Sequence, residues 1–117
     1  MKDGFLRVAA ATPEIRVADC THNARAIIGQ ILQAAENNAS LVVFPELSVT
    51  GYTCSDLFLQ RALLDAAEEA VLQIAEKTSA LPVLSVIGVP LRASNALYNC
   101  AVVLYKGEIL GIIPKKN

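Results

Sequence analysis

Four consecutive apolar residues, Leu41 to Phe44, are closed by Pro45 and followed at once by a single carboxylate, Glu46. A continuous apolar run of that length, ended by a proline, reads as a short strand buried on both faces. Such a strand needs helices or a second sheet on each side of it, and that requirement points to a layered α/β architecture.

The flanking segments agree. Phe5 to Ala11 is short and compatible with a strand, and it stops at Thr12-Pro13, where the proline restricts its predecessor to extended geometry. Asp19 is placed to cap a helix in which Ala24, Ile27, Ile28, Ile31, Leu32 and Ala35 recur at intervals of three and four and line one face. Asn23, Arg25, Gln30 and Gln33 fall off that face, and Asn37-Asn38 should end the helix. Leu47 to Asp56 has little periodicity and reads as a loop past a strand end, a usual place for functional residues.

A second helix is expected from about Leu57 to Lys77, with Leu64, Ala67, Val71, Ile74 and Ala75 inward and Asp65, Glu68, Glu69 and Glu76 outward. After Pro82 the pattern changes. Val83 to Val89 reads as a strand, Arg92 to Ala96 as a polar connection, Tyr98 to Tyr105 as a strand, Lys106-Gly107 as a tight turn and Glu108 to Ile113 as a third strand. A doubly wound parallel sheet would keep alternating strands with helices. The switch to consecutive strands therefore predicts a mixed sheet, with two helices on one side and an inner face that requires another layer.

Composition narrows the function. The 117 residues fit one domain on the usual prior of roughly 100–200 residues, and 54% hydrophobic with only 18% charged residues excludes disorder. So apolar a chain is either buried on several sides or a piece of a larger domain. A formal charge of −1 with no basic stripe leaves nucleic-acid binding without an electrostatic footprint. No apolar run approaches the roughly 20 residues that span a bilayer, and the first residues do not form a signal peptide, so a cytoplasmic location is expected. The three cysteines, Cys20, Cys54 and Cys100, are odd in number and far apart, which argues against a disulfide framework or a structural zinc site.

Two segments carry candidate chemistry. Glu46 follows a buried strand at its carboxyl end, where α/β proteins commonly place their sites. If partly shielded from water, it would have the raised proton affinity of a general base. On pattern alone it reads equally as a solvated loop acid or a partner for a helix N-terminus. The strand Ile109 to Ile113 delivers Lys115 and Lys116 at its far end. An ammonium there could stabilise charge developing on a carbonyl oxygen, an effect worth roughly 3–4 kcal/mol per good donor; alternatively the lysines simply keep a strand end solvated.

Taken together, Phe44-Pro45-Glu46 and Ile113-Pro114-Lys115 resemble the opening of the nitrilase (carbon–nitrogen hydrolase) family, whose members use Glu, Lys and Cys in that chain order. The order of strands, helices and hairpin matches across the whole chain. Within the family, ELSVTGYTCSDLF (Glu46 to Phe58) and LYNCAVVLYKGEILGIIPK (Leu97 to Lys115) look most like the N-terminal glutaminase domains of bacterial glutamine-dependent NAD synthetases.

The resemblance implies a partial α-β-β-α sandwich in which residues 1–117 form the N-terminal portion of a glutaminase domain. Glu46 would be the base, Lys115 the oxyanion stabiliser, and Tyr52 would lie near the glutamine pocket or pack its loop. Lys115 rather than Lys116 matches the family's lysine, because it directly follows the proline. The family's nucleophilic cysteine lies beyond the lysine motif, and none of Cys20, Cys54 and Cys100 holds that position, so these residues alone are expected to be inactive. The implied partners are glutamine and, for a synthetase domain elsewhere, deamido-NAD with ATP and magnesium. No cofactor is expected in this part, and a homo-oligomer is expected.

Two rivals remain. One is a nitrilase-type amidase acting on carbamoyl groups or short dicarboxylic ω-amides. The other is a noncatalytic α/β binding module, which requires Glu46 and Lys115 to lie far apart.

Overall fold

The computed structural model describes residues 7–16, 18–50, 61–93 and 96–116, with the backbone alone described at positions 61, 93, 96, 115 and 116. Five strands and two helices follow one another as β1 (Val8–Ala10), α1 (Cys20–Glu36), β2 (Leu41–Val43), α2 (Arg61–Lys77), β3 (Leu84–Ala93), β4 (Ala96–Tyr105) and β5 (Glu108–Lys116). The strands form one sheet in sequence order. β1, β2 and β3 run parallel, and β4 and β5 are added antiparallel, so the mixed sheet expected from the strand run after Pro82 is the one that forms.

Local chemistry sets the helix ends. The Asp19 carboxylate accepts a hydrogen bond from the His22 backbone N–H at 3.0 Å, satisfying one of the donors that the first turn leaves unpaired. At the other end Asn38 adopts a left-handed φ of 61°, which Asn tolerates better than most residues. The chain then folds back so that Asn38 N–H reaches Ala35 O at 3.0 Å and Ala39 N–H reaches Ala34 O at 2.9 Å, a Schellman closure.

Both helices pack against each other and share one core with the sheet. Ile27 and Ile31 of α1, Val71 and Ile74 of α2, and Val42, Ile87, Val89, Val102 and Leu104 of the strands meet there. Each such side chain contributes on the order of 1.5–3 kcal/mol when fully buried. All five residues expected on the inward face of α2 are buried. The part of that helix predicted before Arg61 lies outside the described residues. Among the described residues no helix is long and apolar enough to cross a membrane.

Two expectations are corrected. The inward stripe of α1 is rotated: Leu32 is exposed, whereas Ala34 and Asn23 are buried, Asn23 completely. Asn23 can occupy the core because all of its polar atoms are engaged with backbone. Its Oδ1 accepts from Arg16 N–H at 2.7 Å, and its Nδ2 donates to Arg16 O at 2.7 Å and Val49 O at 2.8 Å.

The second correction concerns β2, which is not buried on both faces. Val42 is fully buried under the helices, but its neighbour Val43 is 39% exposed. The two helices cover one face only. On the other face, the strand alternation and register bring together Val8, Val43 and Ile113, the last 58% exposed. That apolar face fits a sheet built to receive a second layer.

The strands after Pro82 are longer than their apolar cores suggest. β3 continues to Ala93 and β4 begins at Ala96, which shortens the expected polar connection, and β5 extends to Lys116. Lys106 (φ 48°) and Gly107 (φ 86°) both sit in the left-handed region, the conformation of a two-residue type I′ hairpin turn. A bulge between Val103 and Leu104 shifts the β4–β5 register beyond that turn.

Candidate functional site

Glu46 lies in the turn that leaves β2. The turn is tied down along its length: Phe44 N–H reaches Val86 O at 2.9 Å, Val49 N–H reaches Gly88 O at 3.0 Å, and Gly88 N–H donates to Ser48 Oγ at 3.2 Å. Across from these, Ala18 N–H donates to Thr50 O at 2.8 Å, and the buried Asn23 amide holds Val49 O. Five contacts from β3, the β1–α1 connection and α1 thus fix the segment on both sides of the carboxylate. Leu47, next to Glu46, is held at φ 53°, an unfavourable conformation for a bulky residue. Its side chain is buried, and its carbonyl accepts from Thr50 N–H at 3.1 Å. Strain of this kind persists where the surroundings over-determine it, commonly beside working residues.

Gly88 decides where the turn can lie. A Cβ at that position would sit 2.4 Å from Leu47 N, 2.7 Å from Pro45 O and 2.9 Å from Glu46 C, all backbone atoms. The backbone of Pro45–Leu47 therefore rests directly on the sheet at Gly88, on the face opposite the helices. Gly88 pairs with Ala101, and Pro90 pairs with Asn99, so Asn99 shares that face one alternation further along β4. Asn99 Nδ2 donates to Glu46 Oε1 at 3.2 Å across 53 positions of sequence. A carboxylate only accepts, so the amide must present its nitrogen to it.

The β4–β5 register sets Lys115 opposite Asn99. Directly paired residues of an antiparallel ladder have Cα atoms about 4.5–5.5 Å apart. The fold thus brings the carboxylate of Glu46 and the backbone position of Lys115 to the same asparagine. Glu46 itself is exposed, and among the described residues no second layer lies over this face of the sheet. Tyr52 and Cys54 lie outside the described residues.

Neither of the remaining cysteines sits at this place. Cys20, the first residue of α1, and Cys100, in β4, are both buried. Cys100 belongs to the helix-facing row of β4, and burial pushes its thiol pKa up, although a backbone hydrogen bond from Leu91 opposes this. A thiol held in its protonated form is a poor nucleophile. Sequence reasoning missed Asn99 and Asn23. Periodicity gives no sign of either, and counting register from the hairpin turn at Lys106-Gly107 would set Pro114, not Lys115, opposite Asn99.

The chain thus has a mixed sheet with two helices on one face, a Pro-Glu turn laid across the other and a lysine position at the end of the last strand. Residues 7–117 match the carbon-nitrogen hydrolase family, and the chain belongs to it. Among its relatives is the glutamine-dependent NAD(+) synthetase of Mycobacterium tuberculosis, 43% identical over 113 residues that cover 96% of this chain and 16% of that protein. The chain thus spans about a sixth of that relative's length.

Among solved structures, a glutamine-dependent NAD(+) synthetase from Cytophaga hutchinsonii superposes with a TM-score of 0.88 at 28% identity, over 96% of this chain and 19% of that one. An amidase from Nesterenkonia sp., a Glu-to-Gln variant with acrylamide added at its active-site cysteine, superposes with a TM-score of 0.77 at 25% identity, over 95% of this chain and 44% of that one.

Proposed function

We propose that this chain is the glutamate- and lysine-bearing part of a glutamine amidohydrolase that supplies ammonia for ATP-dependent conversion of deamido-NAD to NAD. The observation that carries the reading is the meeting of Glu46 and the Lys115 position at Asn99. The 43% identity to a glutamine-dependent NAD(+) synthetase supports the substrate.

In the proposed mechanism, Glu46 takes the proton of a cysteine thiol, and the thiolate attacks the side-chain amide carbon of glutamine. The Lys115 ammonium stabilises the resulting oxyanion. Collapse of the tetrahedral intermediate breaks the C–N bond, and the proton held by Glu46 goes to the departing ammonia. Water, deprotonated by Glu46, then cleaves the thioester to give glutamate and the free thiol.

The thiol is proposed to lie outside these 117 residues, since Cys20 and Cys100 are buried and none of the three cysteines follows the lysine motif as the family's nucleophile does. Tyr52 is proposed to line the glutamine pocket. Shielding of Glu46 would come from the layer that covers this face of the sheet. ATP and magnesium are assigned to a synthetase domain. Among the described residues no three His, Cys, Asp or Glu side chains are placed to hold a metal ion. A cytoplasmic, homo-oligomeric enzyme completes the proposal. The apolar face carrying Val8, Val43 and Ile113 gives the chain a physical reason to associate.

The amidase likeness favours a second reading, in which the substrate is a carbamoyl group or a short dicarboxylic ω-amide. Ammonia release by the complete enzyme from glutamine, from an N-carbamoyl amino acid and from an ω-amide lacking the α-amino group separates the two. Glutamine should be preferred by about 100-fold or more in kcat/KM, because a site built to bond the α-amino group leaves polar groups unpaired without it. Preference for either other substrate would replace glutaminase with amidase.

A further inference from the structure

Glu46 is exposed, sits in a turn and ends in a broad, roughly two-fold carboxylate torsion, so its backbone alone does not orient the oxygen that must receive a proton. The 3.2 Å hydrogen bond from Asn99 Nδ2 to Glu46 Oε1 addresses that torsion. Asn99 is well placed to hold it. It is half-buried in the middle of the sheet, paired on one side with Pro90 of β3 and on the other with Lys115 of β5.

The pairing with Lys115 depends on the bulge between Val103 and Leu104. Extending the register of the Lys106-Gly107 turn without that bulge would set Pro114, not Lys115, opposite Asn99. A one-residue slip in a strand also exchanges its two faces. The irregularity is therefore what brings the lysine position and the carboxylate to a common neighbour.

We propose that Asn99 is a positioning residue for the base: its amide pins one oxygen of Glu46 and spaces the carboxylate from Lys115. The inference rests on the reading of Glu46 as the general base. Asn99 does not contact substrate in this scheme and acts through Glu46.

The test uses the complete enzyme and compares Asn99→Leu, Asn99→Asp and Glu46→Gln. Asn99→Leu removes the donor while keeping the branching and heavy-atom count of the side chain. It should lower kcat for ammonia release from glutamine by about 10- to 100-fold, the range expected for a hydrogen bond to a charged group, with KM changed by less than about threefold. Asn99→Asp sets a second carboxylate beside Glu46. Like charge raises the proton affinity of Glu46, so the base is lost to protonation at higher pH, and the acidic limb of the kcat/KM profile should move upward by about one pH unit or more.

An asparagine remote from the base would not move that limb, and one that did not orient the carboxylate would leave kcat of Asn99→Leu unchanged. NAD synthesis from added ammonium, which bypasses glutamine, should be retained in both Asn99 variants and reports on the synthetase domain, while an unchanged thermal unfolding profile reports that the part carrying Asn99 folds. If Glu46→Gln is inactive while Asn99→Leu retains kcat within about threefold and Asn99→Asp keeps the wild-type acidic limb, the positioning role is wrong and the base assignment stands. If Glu46→Gln releases ammonia at the wild-type rate, both are overturned.

Discussion

Glu46→Gln in the complete enzyme is expected to lower ammonia release from glutamine by about 10³- to 10⁴-fold while leaving synthesis from added ammonium within about twofold of wild type. The substitution is nearly isosteric, and the glutamine carbonyl can still accept from Asn99 Nδ2, so the turn should keep its place. What disappears is the ability to take a proton from the thiol and later from water. Lys115→Met should lower the same rate by about 10²- to 10³-fold through loss of oxyanion stabilisation. Because base, lysine and thiol act as a unit, the double variant should be little worse than Glu46→Gln alone. Steady-state ammonia assays with glutamine and with ammonium as nitrogen source check all three. Equal losses from both nitrogen sources would mean that Glu46 supports the fold and not the hydrolysis.

Gly88→Ala is also expected to have a large effect, although it adds only one methyl group. Its Cβ would meet the backbone of Leu47, Pro45 and Glu46 at 2.4–2.9 Å, and backbone cannot move aside as a flexible side chain can. The turn must lift from the sheet, against the hydrogen bonds of Val49 N–H to Gly88 O and of Gly88 N–H to Ser48 Oγ. Overpacking of this kind destabilises by about 1–3 kcal/mol, read by denaturant unfolding. Glu46 is carried by the displaced segment, and a misplacement of about 1 Å is enough to lower a rate by about 100-fold. Glutaminase activity should therefore fall far more than stability, and the distance from Asn99 Nδ2 to Glu46 Oε1 should lengthen in a structure of the variant. Unchanged activity and an unmoved turn would show that Gly88 has no part in placing the base.

The parts of the fold that were legible in the sequence are those governed by neighbours in the chain. Asp19 caps α1, Asn37-Asn38 ends it and Lys106-Gly107 turns the hairpin because each acts on backbone groups within a few residues. The inward face of α2 was legible because its apolar spacing has no competing signal. Asn23 was read as outward because periodicity weighs polarity and cannot foresee a carbonyl at Val49 waiting 26 residues away.

The run Leu41 to Phe44 was read as buried on two faces, yet Val43 lies open. An apolar run records what a strand packs against in its whole domain, and the described residues build one covering layer. At the site, Glu46 and Lys115 were found through their motifs. Asn99 was not, because its pairing with Lys115 depends on a bulge whose position the residue pattern does not reveal.

The most direct test of the account is to treat the complete enzyme with an electrophilic glutamine analogue that alkylates the attacking thiol, and to map the adduct by peptide mass spectrometry in wild type and in Glu46→Gln. The account predicts one adduct, on a cysteine outside residues 1–117, formed much more slowly in Glu46→Gln. An adduct on Cys20, Cys54 or Cys100, or labelling that is indifferent to Glu46, would contradict it.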